Sequence, residues 1–429
     1  MNKKEIRSWA LYDWANSAFA TTVMAAVLPI FYHDVAAKGL DDTMATSLWG
    51  YSQSAAMVFV AVLSPILGTM ADYTRSKKQY LMFFAYMGMI ATMLLVFVGE
   101  GDYALASLLL IVGTIGFSGG NVFYDAFLPE ISDGKHMDKV SALGFAYGYI
   151  GGGLILLLDL LMIMKPEVFG LRDTLMATHA AFATVALWWL FFSIPMFRNV
   201  KDPNDGSRTQ TGKNYVRITA RRLSATLQEL PKYRELLKFL LAFWIYNDGI
   251  STIIKMATIY GRDIGIGQTD LIAALLITQF VGIPFAFLFG WLAGKIEAKR
   301  ALLLALIVYV LIVILGFFMK TAFEFYLLAI MVGFVQGGAQ SLSRSIFGRM
   351  IPKGRNAEFF GFYGISSKFA AIFGPFLFAL TSQLTGSSRW GILSVALFFV
   401  IGILLLLKVN VAKGQREAAF KSSDQNTCT

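Results

Sequence analysis

The stretch GTMADYTRSKK, Gly68 to Lys78, and the stretch GWLAGKIEAKR, Gly290 to Arg300, place a glycine, an alanine and two closing basic residues at one constant offset. Each is a short polar break between long apolar runs. Two matched breaks so far apart in one chain point to a duplicated unit, and the residues around them extend the match. Gly119-Gly120 and Gly337-Gly338 each precede a polar stretch and then a proline, Pro129 or Pro352. YDWANS (Tyr12 to Ser17) is echoed by YNDGIS (Tyr246 to Ser251).

The apolar runs have the length of about 20 residues that a helix needs to cross about 30 Å of hydrocarbon. They fall near residues 8–32, 46–71, 79–99, 103–128, 140–165 and 174–197, and again near 235–260, 269–293, 299–319, 324–348, 357–383 and 389–410. That is two sets of six spans. The chain of 429 residues is 56% hydrophobic and 15% charged, with a mean hydropathy of +0.61, where a soluble domain carries about 25% charged residues. Composition thus predicts an all-α integral membrane protein with twelve transmembrane helices.

Charge sets the orientation. Most of the 37 Lys and Arg residues lie at the termini, in the even-numbered loops and in the central segment. In the other loops stand only Lys38, Lys165, Arg172, Arg262, Lys320 and Arg389. The positive-inside rule puts both termini in the cytoplasm. The net charge of +10 therefore reads as attraction to an anionic leaflet, with no nucleic-acid partner. The amino terminus shows no small-residue cleavage site and reads as a retained first span. The single cysteine, Cys428, excludes an internal disulfide and a thiol metal cluster. Between the two sets, Val216, Ala220, Leu223, Leu227 and Leu230 share one helical face and Arg217, Arg221 and Arg222 another. This describes either a helix lying on the membrane or a solvated linker helix.

The two-times-six layout, the long cytoplasmic linker and the GxxADxxxxKK loop resemble the major facilitator superfamily, whose loop pattern is roughly G-x-L-A-D-R-x-G-R-R/K. Within it, YDWANSAFATT, FYDAFLP, QGGAQSLSRSIFGRMIP and FGFYGISSKFAAIFGP resemble the vacuole effluxer-like branch, named for a yeast vacuolar amino-acid exporter associated with autophagy. The loop departs from the pattern at Tyr73, Arg75 and Ser76, where the family has Arg, Gly and Arg, and keeps Asp72, Lys77 and Lys78. The resemblance implies a major facilitator fold of two six-helix bundles, residues 1–197 and 235–410, with a cytoplasmic linker at 198–234 and a tail at 411–429. It further implies a monomeric permease working by alternating access, gating through Asp72, Lys77 and Lys78, and a central cavity lined by spans 1, 4, 7 and 10 and bordered by 11. Amino acids or similar small solutes, moved outward in the yeast relative, are the implied substrates.

Charges inside the spans carry the functional reading, because each costs about 2.5 to 3.5 kcal/mol at mid-bilayer and is kept only if paired or wetted. Asp13, near the start of span 1, is a candidate substrate-binding residue or else a helix-start residue favoured by the N-terminal dipole; Asp125 and Arg344 lie one turn inside the ends of spans 4 and 10, where they would lock those spans together and form a gate. Asp248 and Lys368, near the middle of spans 7 and 11, would match the amine and carboxylate of a zwitterion or else pair with each other. Asn16, Asn121, Asn247, Gln336 and Gln340 supply neutral donors and acceptors, and Tyr12, Trp14 and Tyr124 supply walls. Asp159 and Lys255 read as outer-side groups in static pairs or snorkelling, and His179 as a packing residue. Gly144, Gly148 and Gly152, four apart on span 5, would admit a neighbouring helix closely.

No phosphate loop and no H-E-x-x-H occur, so neither ATP nor metalloprotease chemistry drives the protein, and it reads as no enzyme. Movement coupled to an ion gradient remains, with an embedded carboxylate of Asp13, Asp125 or Asp248 as proton carrier. A multidrug exporter of the same fold, or a non-transporting sensor or scaffold, are the alternatives. Short loops and the lone cysteine suit a bacterial inner membrane.

Overall fold

In a computed structural model the apolar runs become twelve long helices. It describes residues 2–202, 223, 224, 226 and 228–426, apart from the side chains of 42, 43, 46, 47, 258, 268, 269, 272, 365–372 and 420–426. Most of the linker faces read above, including Val216, Arg217, Ala220, Arg221, Arg222 and Leu227, lie outside the described residues, as does the side chain of Lys368.

Span 1 covers Lys3–Ala36, span 2 Asp42–Thr74, span 3 Lys77–Phe97, span 4 Tyr103–Ile131, span 5 Met137–Met164 and span 6 Thr174–Asn199. Span 7 is Arg234–Asp263, span 8 Gln268–Ile296, span 9 Ala298–Phe318, span 10 Ala322–Met350, span 11 Asn356–Thr385 and span 12 Ser388–Leu407. Eleven are, over their described residues, long and apolar enough to cross a membrane; span 11 is the one with the stretch of undescribed side chains. Helices suit lipid because every backbone N–H and C=O finds its partner within the segment. Some of their starts are closed by side chains: Asp41 accepts from Met44 N at 3.1 Å, Asp173 from Met176 N at 2.7 Å, and Thr321 with Glu324 forms a capping box on span 10.

The packing scheme repeats. Span 1 lies against 5 and 6, as span 7 lies against 11 and 12; span 4 lies against 2 and 3, as span 10 lies against 8 and 9. Between the halves, span 2 meets span 11 and span 5 meets span 8. The matched glycines sit in those seams. A Cβ on Gly68 would overlap the Ala357 carbonyl of span 11, and one on Gly290 would stand 2.6 Å from Ala142 Cβ of span 5. Close approach, which only glycine permits here, is what the duplicated loop retains in both copies.

Two features escape the hydrophobic pattern. Span 1 widens into a π-helix over Phe19–Val27 and returns to α at Leu28–Phe31, where Pro29 has no N–H to donate. The segment read as a tail opens with a helix, Val411–Asn426. It docks beside span 7: Asn410 N donates to Glu235 Oε2 at 2.8 Å and Lys413 Nζ stands 3.7 Å from Glu235 Oε1.

Candidate functional site

The charges of spans 1, 4 and 10 meet in one cluster. Arg344 of span 10 places Nη1 2.9 Å from Asp125 Oδ1 of span 4 and 3.8 Å from Asp13 Oδ2 of span 1, with its side chain only 4% exposed. Ser141 of span 5 takes the rest of the guanidinium, with Nε donating to its Oγ and Nη2 to its main-chain O, both at 2.9 Å. The tyrosine hydroxyl of Tyr124 donates to Asp13 Oδ2 at 3.1 Å. Aromatic rings close the cage, with the guanidinium carbon 4.4 Å from the Phe145 ring centre and 4.9 Å from that of Trp9. Trp9 is itself fixed, stacked on Tyr124 at 4.5 Å and donating Nε1–H to the Tyr124 carbonyl at 2.9 Å.

Span 5 makes the room. A Cβ on Gly144 would stand 2.9 Å from Trp9 Cζ3 and 3.0 Å from Arg344 Nη2; on Gly148, 2.8 Å from Ser17 Oγ; on Gly152, 2.9 Å from Thr21 Cγ2. The four-residue glycine stripe is thus the face on which span 1 lies. The neighbouring turns of span 5 add further bonds across the halves, with Ser345 Oγ donating to Asp138 Oδ1 at 2.6 Å and Arg349 paired with Asp138. Ser141 Oγ also lies 2.8 Å from the Ser341 carbonyl, to which it donates.

A second cross-half cluster joins spans 2 and 11 at the same end of the molecule. Asp72 Oδ2 accepts the Glu358 N–H of span 11 at 2.9 Å, and its other oxygen stands 3.5 Å from Lys77 Nζ. Lys77 is also paired with Glu130, whose Oε1 accepts from Asn356 Nδ2 at 3.0 Å. Where the superfamily pattern pairs the loop aspartate with an arginine, the cation here is Lys77. Lys78 lies apart from the seam and offers its main-chain N–H to Asp202 at 3.2 Å.

The neutral groups form the next layer. Asn16 Nδ2 donates to Asn121 Oδ1 at 2.6 Å, one turn from Asp13 and Asp125 on antiparallel helices. Gln340 and Gln336, both half-buried, precede Arg344 by one and two turns along span 10. Tyr12 is buried, its ring 5.2 Å from Tyr124. Span 7 stands apart from the cluster. Asp248, 2% exposed, accepts the N–H of Gly374 in span 11 at 2.8 Å, one residue before Pro375 in the interior of that helix, and Asn247 beside it is buried. Trp14 does not join the walls around Asp13: it stacks on Trp188 of span 6 at 5.9 Å, because adjacent helical residues point about 100° apart. His179 packs on Phe31 and bonds the Val98 carbonyl at 2.9 Å. Lys255 is exposed.

Sequence reasoning missed Trp9, Ser141, Asp138, Glu130, Arg349 and Glu358. Serines and terminal acidic residues are common on any membrane helix, so their types carried no signal. The place itself was marked by Asp13, Asp125, Arg344 and, opposite the guanidinium, Gly144.

Twelve helices in two matched sets of six, meeting across paired seams around a buried ion cluster, define an integral membrane protein with the transporter fold of the major facilitator superfamily. Solved structures agree: the fucose transporter FucP in the outward conformation overlays with a TM-score of 0.71 at 13% identity, covering 95% of this chain and 98% of FucP. The proton:xylose symporter XylE overlays at 0.70 and 12% identity, covering 94% and 95%. Residues 39–419 match the model of the vacuole effluxer Atg22 like family, and the chain belongs to that family. It is 40% identical to the MFS-type transporter YxiO of Bacillus subtilis over 94% of both chains. It is 24% identical to autophagy-related protein 22 of Kluyveromyces lactis over 97% of this chain and 95% of that one.

Proposed function

We propose that this transporter is a secondary active permease that moves a small polar organic solute, an amino acid or similar zwitterion, by rocking residues 1–197 against residues 235–410. The observation that carries the reading is the Arg344 cluster. Arg344 belongs to one half and Asp13, Asp125 and Ser141 to the other, so the halves cannot part at this end without breaking it. The same end holds the Asp72–Glu358 seam and receives the linker, and the positive-inside rule makes it cytoplasmic. The conformation is therefore one closed to the cytoplasm, and Asp125, Arg344, Asp72 and Lys77 act as its gate.

Coupling to protons follows from charge. One guanidinium serves two carboxylates, so the cluster holds a surplus negative charge in a buried place until a proton joins it. Asn16, Asn121, Gln336 and Gln340, one or two turns further from that end than Asp13, Asp125 and Arg344, would bind the solute's polar groups together with Tyr12, Asp13, Tyr124 and Asn247, with Asp248 and Lys368 meeting its charged ends. The bacterial relative and the short loops favour a plasma membrane, and the protein works as a monomer.

Uptake of radiolabelled amino acids into proteoliposomes, with and without an imposed pH gradient, tests the reading. Gradient-stimulated uptake that Asp125→Asn abolishes is the expected result. Equal uptake with and without the gradient would remove proton coupling, and no uptake above protein-free vesicles for any amino acid would remove the substrate class.

A further inference from the structure

One buried acid lies far from the gate and belongs to no ion pair among the described residues. Asp159 of span 5 is 0% exposed, five residues before the end of that helix at Met164, about 8 Å from the end opposite the linker. Its Oδ1 accepts from Thr184 Oγ1 of span 6 at 2.7 Å. Its Oδ2 has no partner among the described residues, and neither has the hydroxyl of Thr22 of span 1, the other polar group beside the carboxyl. The sequence reading of a snorkelling or paired group thus gives way: the side chain reaches neither water nor a cation. The titratable groups on the surrounding elements are engaged elsewhere. His179 of span 6 is held by Val98, His33 of span 1 stands exposed beside Asp34, Lys165 of span 5 is exposed, and Asp270 of span 8 takes the Tyr326 hydroxyl.

An ionised carboxylate in such a place, with no cation beside it, costs several kcal/mol. A single hydrogen removes that charge, and the neutral acid can donate Oδ2–H to Thr22 Oγ1 while Oδ1 keeps its bond from Thr184. We infer that Asp159, between Thr22 and Thr184, is a second, outer-end proton site, separate from the Arg344 cluster. A metal cation is a poorer occupant, since it needs five or six oxygens and the side chains here offer four. The site also has a mechanical link to the gate. Thr22 lies in the π-helical segment of span 1, a helix form that recurs at functional sites, and Asp13 of the gate lies on the same helix. Gain or loss of the proton reverses the direction of the hydrogen bond between Oδ2 and the Thr22 hydroxyl, and so acts on the span whose other end touches Arg344.

Infrared spectroscopy of the purified full-length protein tests this without a substrate. Its coupling role rests on the proton-driven reading, but the spectrum reports the bound proton whether or not transport is proton-driven. Near neutral pH, the wild type minus Asp159→Asn difference should show one protonated carboxyl C=O band that shifts in deuterium oxide, and Thr22→Val should move that band to higher frequency by removing its acceptor. No band lost in Asp159→Asn would overturn the inference, as would a band unmoved in Thr22→Val. So would a band that vanishes when sodium chloride replaces choline chloride at fixed pH, which would assign the site to a metal cation.

Discussion

Arg75 and Glu297 are the non-glycine residues with positive φ among those described, at 54° and 72°, and they occupy the same position in the two matched loops. The superfamily pattern has glycine where Arg75 stands, which is the residue such a backbone favours. What is duplicated is a tight reversal between antiparallel spans, and it survives with Arg in one copy and Glu in the other.

Restoring glycine should therefore stabilise the loop. Glu297→Gly is expected to raise stability by about 1 kcal/mol, the cost of holding a side chain in that region. Its pair with Arg300 is long, at 3.9 Å, and exposed on both sides, so little is lost. A thermal unfolding midpoint in detergent checks it, and an unchanged or lower midpoint would show that the loop relaxes without strain.

At Gly144 the opposite change is expected. A methyl group there meets Trp9, Tyr124 and Arg344 at 2.9 to 3.0 Å, so Gly144→Ala should destabilise by about 1 to 3 kcal/mol, as overpacking does. Gly134→Ala, whose added Cβ meets nothing within 4 Å, is the control and should leave the midpoint where it is.

Lys77 holds two carboxylates, Asp72 and Glu130, with its side chain only 4% exposed. Lys77→Met leaves both acids buried without their cation, and should cost about 3 to 5 kcal/mol, as breaking a buried pair does. Adding Asp72→Asn and Glu130→Gln should recover much of the loss. Expression level and midpoint of the single and triple variants report it, and a triple variant no better than the single one would show that Lys77 acts by packing alone.

How much of this could be read from the chain depends on what each signal encodes. Span number, the repeat and the ion pair Asp125–Arg344 were legible, because apolar length and the depth of a charge along a helix follow from counting residues. Helix rotation does not. Trp14 and Asp13 are neighbours in sequence, yet one faces Trp188 and the other Arg344. Asp72 was read as a gate residue, but its bond to the Glu358 backbone depends on how closely Gly68 lets span 11 approach. The π-helix of span 1 and the helix after Asn410 leave no hydrophobic period to detect.

The central claim is that the Arg344 ion cluster holds the cytoplasmic end closed. Spin labels at Lys135→Cys and Lys353→Cys, exposed in the loops after spans 4 and 10, with Cys428→Ser to remove the native thiol, measure that opening by pulsed electron resonance. Each 1.4 kcal/mol lost from the lock shifts the closed and open populations about tenfold, so Arg344→Gln should add a longer-distance population absent when Arg344 is kept. An identical distance distribution in the two proteins, both folded, would contradict the account.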